Sequence, residues 1–223
     1  MLMVTQLVGF AVGAAPPVLT TISVFGSATS TSNVIAFPAS IIAGDLIVFV
    51  DRASNIAFGG VPTDVTPTGF TRVGSSLSGT SPVVVGYRQN AWYKLAAGTE
   101  SGNLTGMDGT GADHKAMYVF RGNVPAAMLT LGDADGTIEN TNPASQSCTA
   151  GSGVAPLVVF GAYGSSGAVD PRTFSTPKGG EINPSTLLYL AYKIYDSSPA
   201  NTDIDMDDEG DMNALQSFYI QMA

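Results

Sequence analysis

The chain has 223 residues, a formal net charge of −9 and a sequence pI of about 4.3. A negative field of this kind repels nucleic acid and anionic membrane surfaces, so neither is expected as a direct partner. Charged residues make up only 12% of the chain and apolar residues 44%. Little charge therefore keeps apolar surface away from other subunits, and self-association or docking on a larger assembly is predicted.

The N-terminal segment 1–15 is apolar but has no basic residue and is interrupted by Thr, Gln and Gly. A secretory signal needs a basic start, and a membrane span needs about 18–20 consecutive apolar residues, so neither is predicted. We expect residues 1–15 to form a strand or an assembly arm that pairs with a neighbouring subunit. A single β-sandwich domain is expected over residues 16–223.

The rest of the chain alternates short apolar runs with clusters of Gly, Pro, Ser and Asn. In residues 46–51 and 83–95 the apolar spacing is close to two, and no window of 10–12 residues gives an amphipathic helix. Further strands are predicted at 19–25, 33–37, 69–73, 115–121, 128–131, 155–163, 186–195, 202–206 and 214–222. Many short antiparallel strands without helices between them predict a sandwich, a jelly roll or a barrel.

Two similar β-units follow one another along the chain. Their segments are residues 44–54, 90–101 and 115–122 in the first unit and residues 155–166, 189–201 and 214–223 in the second. A Leu-x-Val-Phe pattern recurs at an offset of 111, from Leu46 to Leu157, and a Tyr-Lys pair recurs at an offset of 99, from Tyr93 to Tyr192. The pattern predicts two facing sheets. Either an internal duplication or convergence of similar strands accounts for it.

The residues available for catalysis are few. His114 is the one histidine, and its position between Asp113 and Lys115 is interpreted as a surface loop. Cys148 is the one cysteine, which excludes an intrachain disulfide and is typical of a small buried hydrophobe. The chain has no G-x-S-x-G, no H-E-x-x-H and no Cys-His pair. A glycosidase needs only two carboxylates, so that alternative stays open, but the prediction is that the protein is not an enzyme.

An acidic segment near the C-terminus could bind a hard cation. In a strand, Asp203, Asp205 and Asp207 share one face. The favoured interpretation is a solvated strand face that runs into a loop. A Ca²⁺ loop is the alternative, because clustered carboxylates repel one another unless solvent or a cation compensates. Otherwise no cofactor and no metal are predicted.

Aromatic residues offer a second kind of site. Trp92 and Tyr93 are adjacent in a predicted strand, so one of the two should face outward if the strand is regular. An exposed ring here could stack on the face of a sugar. The alternative interpretation is that both rings pack in the core or across strands, as most strand aromatics do.

Five segments resemble a known family. They are AGDLIVFVDRAS, TPTGFTRVG, WYKLAAGTESG, MYVFRGNVP and NALQSFYIQMA. Together they resemble a family of all-β domains in the virion proteins of tailed bacteriophages and prophages, over about residues 40–223. The shared pieces are Gly44-Asp45 at a strand start, Pro67-x-Gly69-Phe70-Thr71 in a turn, Tyr93-Lys94 in a strand and Phe120-Arg121-Gly122 at a strand end.

The resemblance implies a fold and a role. The expected fold is a two-sheet antiparallel β-sandwich of jelly-roll type, and no catalytic residue comes with it. The expected role is a non-enzymatic structural protein of the virion, an exterior accessory subunit such as a head decoration or cement protein or a tail-associated protein. Capsid or tail subunits would be its partners, and a homotrimer is favoured. The alternative is a tail-tip or fibre adhesin, or a carbohydrate-binding module, that recognises a host surface glycan.

Overall fold

A computed structural model describes most of the chain. The described residues are 22–55, 60–80, 86–106, 113–122, 129–139, 144–148, 157–165, 180–185, 188–195, 202–206 and 213–222. They form β-strands and no helix, and the strands pair antiparallel, which confirms the all-β prediction. Within these ranges no helix is long and apolar enough to cross a bilayer. The predicted arm 1–15 lies outside the described residues, and the single domain over 16–223 stays a prediction.

The described strands are numbered in chain order. They are β1 Ile22–Ser30, β2 Val34–Ala36, β3 Ala43–Asn55, β4 Thr71–Thr80, β5 Gly86–Ala97, β6 Asn103–Thr105, β7 Asp113–Gly122, β8 Leu129–Glu139, β9 Ala144–Cys148, β10 Leu157–Ser165, β11 Gly180–Ser185, β12 Leu188–Tyr195, β13 Thr202–Met206 and β14 Asn213–Met222.

The first seven strands form one large and one small sheet. The large one, sheet 1, has the order β1-β7-β3-β5-β4, and the small one pairs β2 with β6. The pairing is nested: the first strand pairs with the seventh, the second with the sixth and the third with the fifth. β7 also pairs with β3, so strands that are distant in the sequence become neighbours in sheet 1.

The last seven strands repeat this topology. Sheet 2 has the order β8-β14-β10-β12-β11, and a second small sheet pairs β9 with β13. Each strand takes the place of the strand seven earlier in the chain, β8 for β1, β9 for β2 and so on to β14 for β7. The two large sheets therefore divide the chain between them: sheet 1 comes from the first seven strands and sheet 2 from the last seven.

Irregularities also recur at matching places. The ladder between β4 and β5 shifts register next to Ala91, and the ladder between β11 and β12 shifts next to Leu190. These two residues are 99 positions apart, the same offset that relates Tyr93 to Tyr192. A second shift lies in the edge strands β1 and β8, opposite the matching neighbours β7 and β14. Bulges are specific features of a strand pair, so their recurrence strengthens the match.

One sequence offset is wrong by one residue. Val48 lies opposite Tyr93 in the first half, whereas Phe160 lies opposite Tyr192 in the second. The pairing therefore relates Val48 to Phe160, at a difference of 112 positions and not 111. The apolar run 46–50 has no polar residue to mark its phase, so a slip of one position leaves the sequence match intact while it would exchange the two faces of the strand.

Sheet 1 is buried on both faces. On its inner face, Val48, Val50 and Phe120 pack with Leu188 and Leu190 of β12, so sheets 1 and 2 share an inner core. The outer face carries a second core under the small sheet of β2 and β6. The residues of this outer core include Ile35, Ile47, Phe49, Phe70, Trp92, Met117 and Val119. Burial is consequently continuous along β3 and β7 instead of alternating, as is typical of strands with both faces covered.

Candidate functional site

Of the aromatic pair singled out from the sequence, Trp92 is buried and Tyr93 is half-buried. Trp92 is 0% exposed and stacks on Phe49, with ring centroids 5.2 Å apart and an interplanar angle of 16°. Tyr93 is half-buried and packs against the inner core. The expectation that one of the two faces solvent is wrong, because β5 has a layer of protein on each side. The Trp92 ring therefore presents no open face to a sugar in this structure.

His114 is also placed differently from the prediction. It lies near the start of β7 and is 7% exposed, so the surface-loop interpretation is wrong. Burial and the positive charges of Arg52 and Lys115 lower the pKa of His114 to about 4. The imidazole is therefore neutral at pH 7, which is the form that a buried position favours.

Seven polar residues are buried at this end of sheet 1, which we call the polar end, and six of them line up opposite one another. They form two rows across β5, β3 and β7: Asn90, Asp51 and Lys115 on the outer face, and Gln89, Arg52 and His114 on the inner face. The Nζ of Lys115 lies 3.2 Å from Oδ1 of Asp51, and both side chains are 0% exposed. The Arg52 guanidinium lies 4.7 Å from the centroid of the Tyr87 ring.

The polar end is enclosed by its neighbours. A Cβ added at Gly106 would overlap the Asp51 carboxylate and lie 2.6 Å from Cε of Lys115, so the glycine backbone covers the ion pair directly. Six charged and polar side chains of this kind resemble a catalytic group in composition. Their exposures of 0–7% place them in the interior of the protein, away from direct contact with solvent.

The opposite end of sheet 1, the clamp end, pairs partly exposed cations with buried carboxylates. Arg121 at the end of β7 donates from Nε and Nη2 to the two carboxylate oxygens of Asp45 at the start of β3, at 2.9 and 2.7 Å. The same guanidinium lies 3.5 Å from the centroid of the Phe25 ring. Burial tends to raise the pKa of Asp45, but the hydrogen bonds from Arg121 and from the backbone of Ile42 lower it overall. Two pieces of the sequence resemblance, Gly-Asp and Arg-Gly, thus meet as one structural contact.

A second clamp connects β5 to the following turn. Lys94 Nζ lies 2.7 Å from Oε1 of Glu100, and the Glu100 carboxylate also accepts hydrogen bonds from the backbone N–H groups of Ala97 and Gly98, at 3.0 and 2.9 Å. Burial tends to raise the pKa of Glu100, but the hydrogen bonds from Lys94 and the backbone outweigh it and lower the pKa to about 2. The carboxylate therefore stays ionised at all ordinary pH values.

A surface cleft of about 460 Å³ opens beside this clamp. One wall is the loop around Thr66 and Thr68, and the other is the segment from Thr99 to Thr105. Its volume lies within the range of about 300–1,000 Å³ that is typical of small-molecule sites. Lys94 and Phe37 also line it. On the part of the surface that the structure describes, this cleft is concave and carries polar groups that a ligand could reach.

The cleft was missed by the sequence analysis, although part of its signal was present. The Pro67-Thr68-Gly69 turn was recognised as scaffold, residues 99–101 were placed in the first β-unit, and residues 103–105 were given no role. Neither segment carries charge patterning or metal-ligand spacing that would mark a site. Only the folding of the two segments onto the same side of sheet 1 brings them together.

The acidic segment is described only in part. Asp203 and Asp205 lie at alternate positions of β13, with Ser147 and Ser145 opposite them in β9. Asp207 lies outside the described residues. In the part of the chain that the structure describes, no group of three or more His, Cys, Asp and Glu side chains could hold a metal ion.

The chain was compared with known proteins in three ways. Family models, curated proteins and solved structures each gave no match. A functional assignment therefore depends on the chain's own residues and topology.

Proposed function

We propose that this chain is a non-enzymatic structural protein of a bacteriophage virion, an exterior accessory subunit such as a head decoration or cement protein or a tail-associated protein. The observation that carries the proposal is the repeated nested pairing of two seven-strand units. The five-segment resemblance supports the same assignment. Capsid or tail subunits are the partners, and the virion is its location.

The jelly-roll assignment belongs to this proposal. A jelly roll is a long antiparallel hairpin rolled up so that distant strands become neighbours, and it recurs in viral capsid and lectin domains. The nested pairs β1–β7, β2–β6 and β3–β5, with β7 also beside β3, follow that scheme. We infer that each half is a jelly roll with a reduced second sheet, and that an internal duplication produced the pair.

The chemistry of the described ionisable groups supports a structural role. Asp51 pairs with Lys115, Asp45 with Arg121, and Glu100 with Lys94, and each pair joins separate strands or a strand and its turn. Their charges hold the scaffold. Contact with other subunits then draws on apolar area at roughly 25 cal/mol per Å², less the entropy of association, and is multiplied by repetition over the particle.

The test uses particles of the phage or induced prophage that encodes the chain. After density-gradient purification and a high-salt wash, quantitative mass spectrometry should find this chain at a fixed copy number relative to the major capsid protein. A homotrimer of the purified chain, measured by light scattering, is the expected free form. Recovery of the chain only in the soluble lysate, with none on the particles, would overturn the proposal.

The predicted arm provides a second test. Deletion of residues 1–15 should reduce the copy number on particles more than any single change of an exposed aromatic residue, because strand addition to a neighbour involves many backbone hydrogen bonds. The truncated chain must retain the oligomeric state and the melting temperature of the full chain for the comparison to be valid. Equal incorporation of the two forms would contradict the arm.

The second candidate is a tail-tip or fibre adhesin, or a carbohydrate-binding module, for a host surface glycan. The cleft of about 460 Å³ favours it, since it offers a concave polar surface on the first seven-strand unit. The residues first considered for this role, Trp92 and Tyr93, do not line the cleft. An adhesin would bind host cells or their extracted glycans in the absence of other virion proteins, whereas a cement protein would not.

A further inference from the structure

The two walls of the cleft are held in place by the chain itself. Phe70 N–H donates to the carbonyl of Pro67 at 3.1 Å, and Gly69 has a φ of 78°, the arrangement of a type II turn. On the other side, Phe37 N–H donates to the carbonyl of Gly102 at 3.0 Å, and Gly102 has a φ of 72°. Positive φ at glycine carries no steric cost. Both walls are therefore formed before a ligand arrives.

The loop wall is also fastened to sheet 1 by side chains. Asp64 pairs with Arg72 of β4 and accepts a hydrogen bond from Asn90 of β5 at 3.0 Å. Arg72 also donates to the hydroxyl of Thr66 at 3.1 Å. These contacts tie a loop without regular secondary structure to two strands. A preformed site loses little conformational entropy on binding.

The charge of the cleft is compensated. Its ionisable lining residues are Lys94 and Glu100, which pair with each other at 2.7 Å. Because the carboxylate also accepts two backbone hydrogen bonds, the pair is satisfied without a ligand. A charged ligand would have no unpaired opposite charge to meet, and an anion would also be repelled by the net charge of −9. The cleft therefore favours an uncharged ligand.

The remaining lining is a mixture of hydroxyl, amide and apolar groups. Thr68, Asn103 and Thr105 are exposed at the cleft and can donate and accept hydrogen bonds. Phe37 and Leu104 are half-buried and supply an apolar floor that continues into the outer core. A sugar ring carries hydroxyl groups at its edge and C–H groups on its faces, so it matches both parts of this surface.

We propose that this cleft is a binding site for a neutral saccharide of one or two rings, with Phe37 as the apolar contact and Asn103 and Thr105 as hydrogen-bonding residues. The site is separate from Trp92 and Tyr93. It does not depend on the virion assignment, since binding is measured on the purified chain and incorporation is measured on particles.

The test uses the full chain and saturation-transfer NMR with a defined panel. The probes are methyl glycosides of glucose, galactose, mannose and N-acetylglucosamine and their common disaccharides, with glucuronic acid as the charged comparator, at millimolar concentrations. At least one neutral probe should receive saturation from the protein, and glucuronic acid should receive less. Absence of transfer to every neutral probe would overturn the proposal, as would stronger transfer to glucuronic acid.

Two exposed substitutions locate the site. Asn103→Ala and Thr105→Val should each weaken binding of the best neutral probe by about threefold to tenfold, the loss of one hydrogen bond to a neutral group. Their matched controls are Asn33→Ala and Thr29→Val, which change the same residue types at exposed positions outside the cleft lining. The controls should bind as the unchanged chain does. Equal affinity in all four variants would place any binding elsewhere and contradict the proposal.

Discussion

The two ends of sheet 1 use charge in opposite ways. At the polar end, Asp51 and Lys115 are completely buried and depend on each other. At the clamp end, Arg121 keeps 34% of its side chain exposed while it holds the buried carboxylate of Asp45. A buried ion pair contributes little net stability, because the cost of desolvating the two charges offsets their attraction. Removing one partner, however, leaves the other charge buried without water or a counter-charge. A pair near the surface costs less to form and less to lose.

The largest expected effect is loss of the buried cation. Lys115→Met leaves the Asp51 carboxylate in the interior without its ion-pair partner and should lower the free energy of unfolding by about 3–5 kcal/mol. Urea denaturation followed by circular dichroism measures it. The double variant Asp51→Leu with Lys115→Met removes both charges and should recover most of the loss. A loss below about 1 kcal/mol in the single variant would contradict a buried, dependent pair.

The second prediction separates the two ends by pH. The folded pKa of His114 is lowered from 6.5 to about 4, so the unfolded state binds the proton more readily in that range. Stability should therefore be fully present above pH 6.5 and fall as the pH drops towards 4, by up to about 3 kcal/mol. Thermal unfolding of the chain and of His114→Gln across this range tests it. The variant should lose this pH dependence.

The clamp end titrates in a lower window. The pKa of Glu100 is lowered from 4.5 to about 2, so its contribution is present above pH 4.5 and is lost as the pH falls towards 2. Glu100→Gln should remove the pH dependence of stability between pH 4.5 and 2, and should leave the pH dependence that His114 causes unchanged. If His114→Gln and Glu100→Gln altered the same pH range, the two ends would not be distinct.

The third prediction concerns the cover of the buried pair. Gly106→Ala forces a Cβ into the Asp51 carboxylate and Cε of Lys115, and should lower the free energy of unfolding by about 1–3 kcal/mol. Thr105→Ala, at the exposed neighbouring position, is the control and should have a much smaller effect. A stabilising effect of Gly106→Ala would indicate that the backbone does not cover the pair this closely.

The smallest effect is expected at the clamp end. Arg121→Ala removes a bidentate pair that solvent partly screens, and should cost about 1 kcal/mol. Arg121→Lys keeps the positive charge but not the bidentate geometry. Its free energy of unfolding should lie between that of Arg121→Ala and that of the unchanged chain. The same denaturation measurement applies. A loss as large as that of Lys115→Met would remove the distinction between the ends.

The sequence predicted the strands whose apolar content is high. The runs 46–51, 83–95 and 115–121 correspond to β3, β5 and β7, and the turn at Pro67 and Gly69 is present. The strands β6, β9 and β11 were not predicted, because their segments carry neither β-branched runs nor regular alternation. These segments become strands because they pair with strands that are far away in the sequence, which a local sequence pattern cannot show.

The same limit explains the errors at the sites. His114 follows an aspartate and precedes a lysine, which locally is typical of a loop, yet β3 places Arg52 opposite it and buries both. Trp92 was expected to alternate with Tyr93 between core and solvent, but a small sheet covers the side that would be exposed. Period two reveals which residues share a face; it does not reveal how many layers cover that face.

The two halves differ in one contact that the topology alone would not distinguish. Asp45 and Arg121 join β3 to β7 in the first half. At the offset of 112 that the strand pairing gives, Leu157 occupies the position matching Asp45, and Gln221, which lies opposite Leu157 in β14, occupies the position matching Arg121. The Tyr-Lys pair recurs, but this clamp does not. We infer that the repeated fold is maintained by its nested pairing and apolar cores, with the charged clamp specific to the first half.

If the proposal holds, particles that carry this chain exist, and electron cryo-microscopy of those particles is its most direct test. The expected result is exterior density in which each copy of the chain fits as two seven-strand units, with their five-stranded sheets face to face and in contact with capsid or tail subunits. A particle whose exterior density is fully explained by other proteins, with no place for this pair of units, would contradict it.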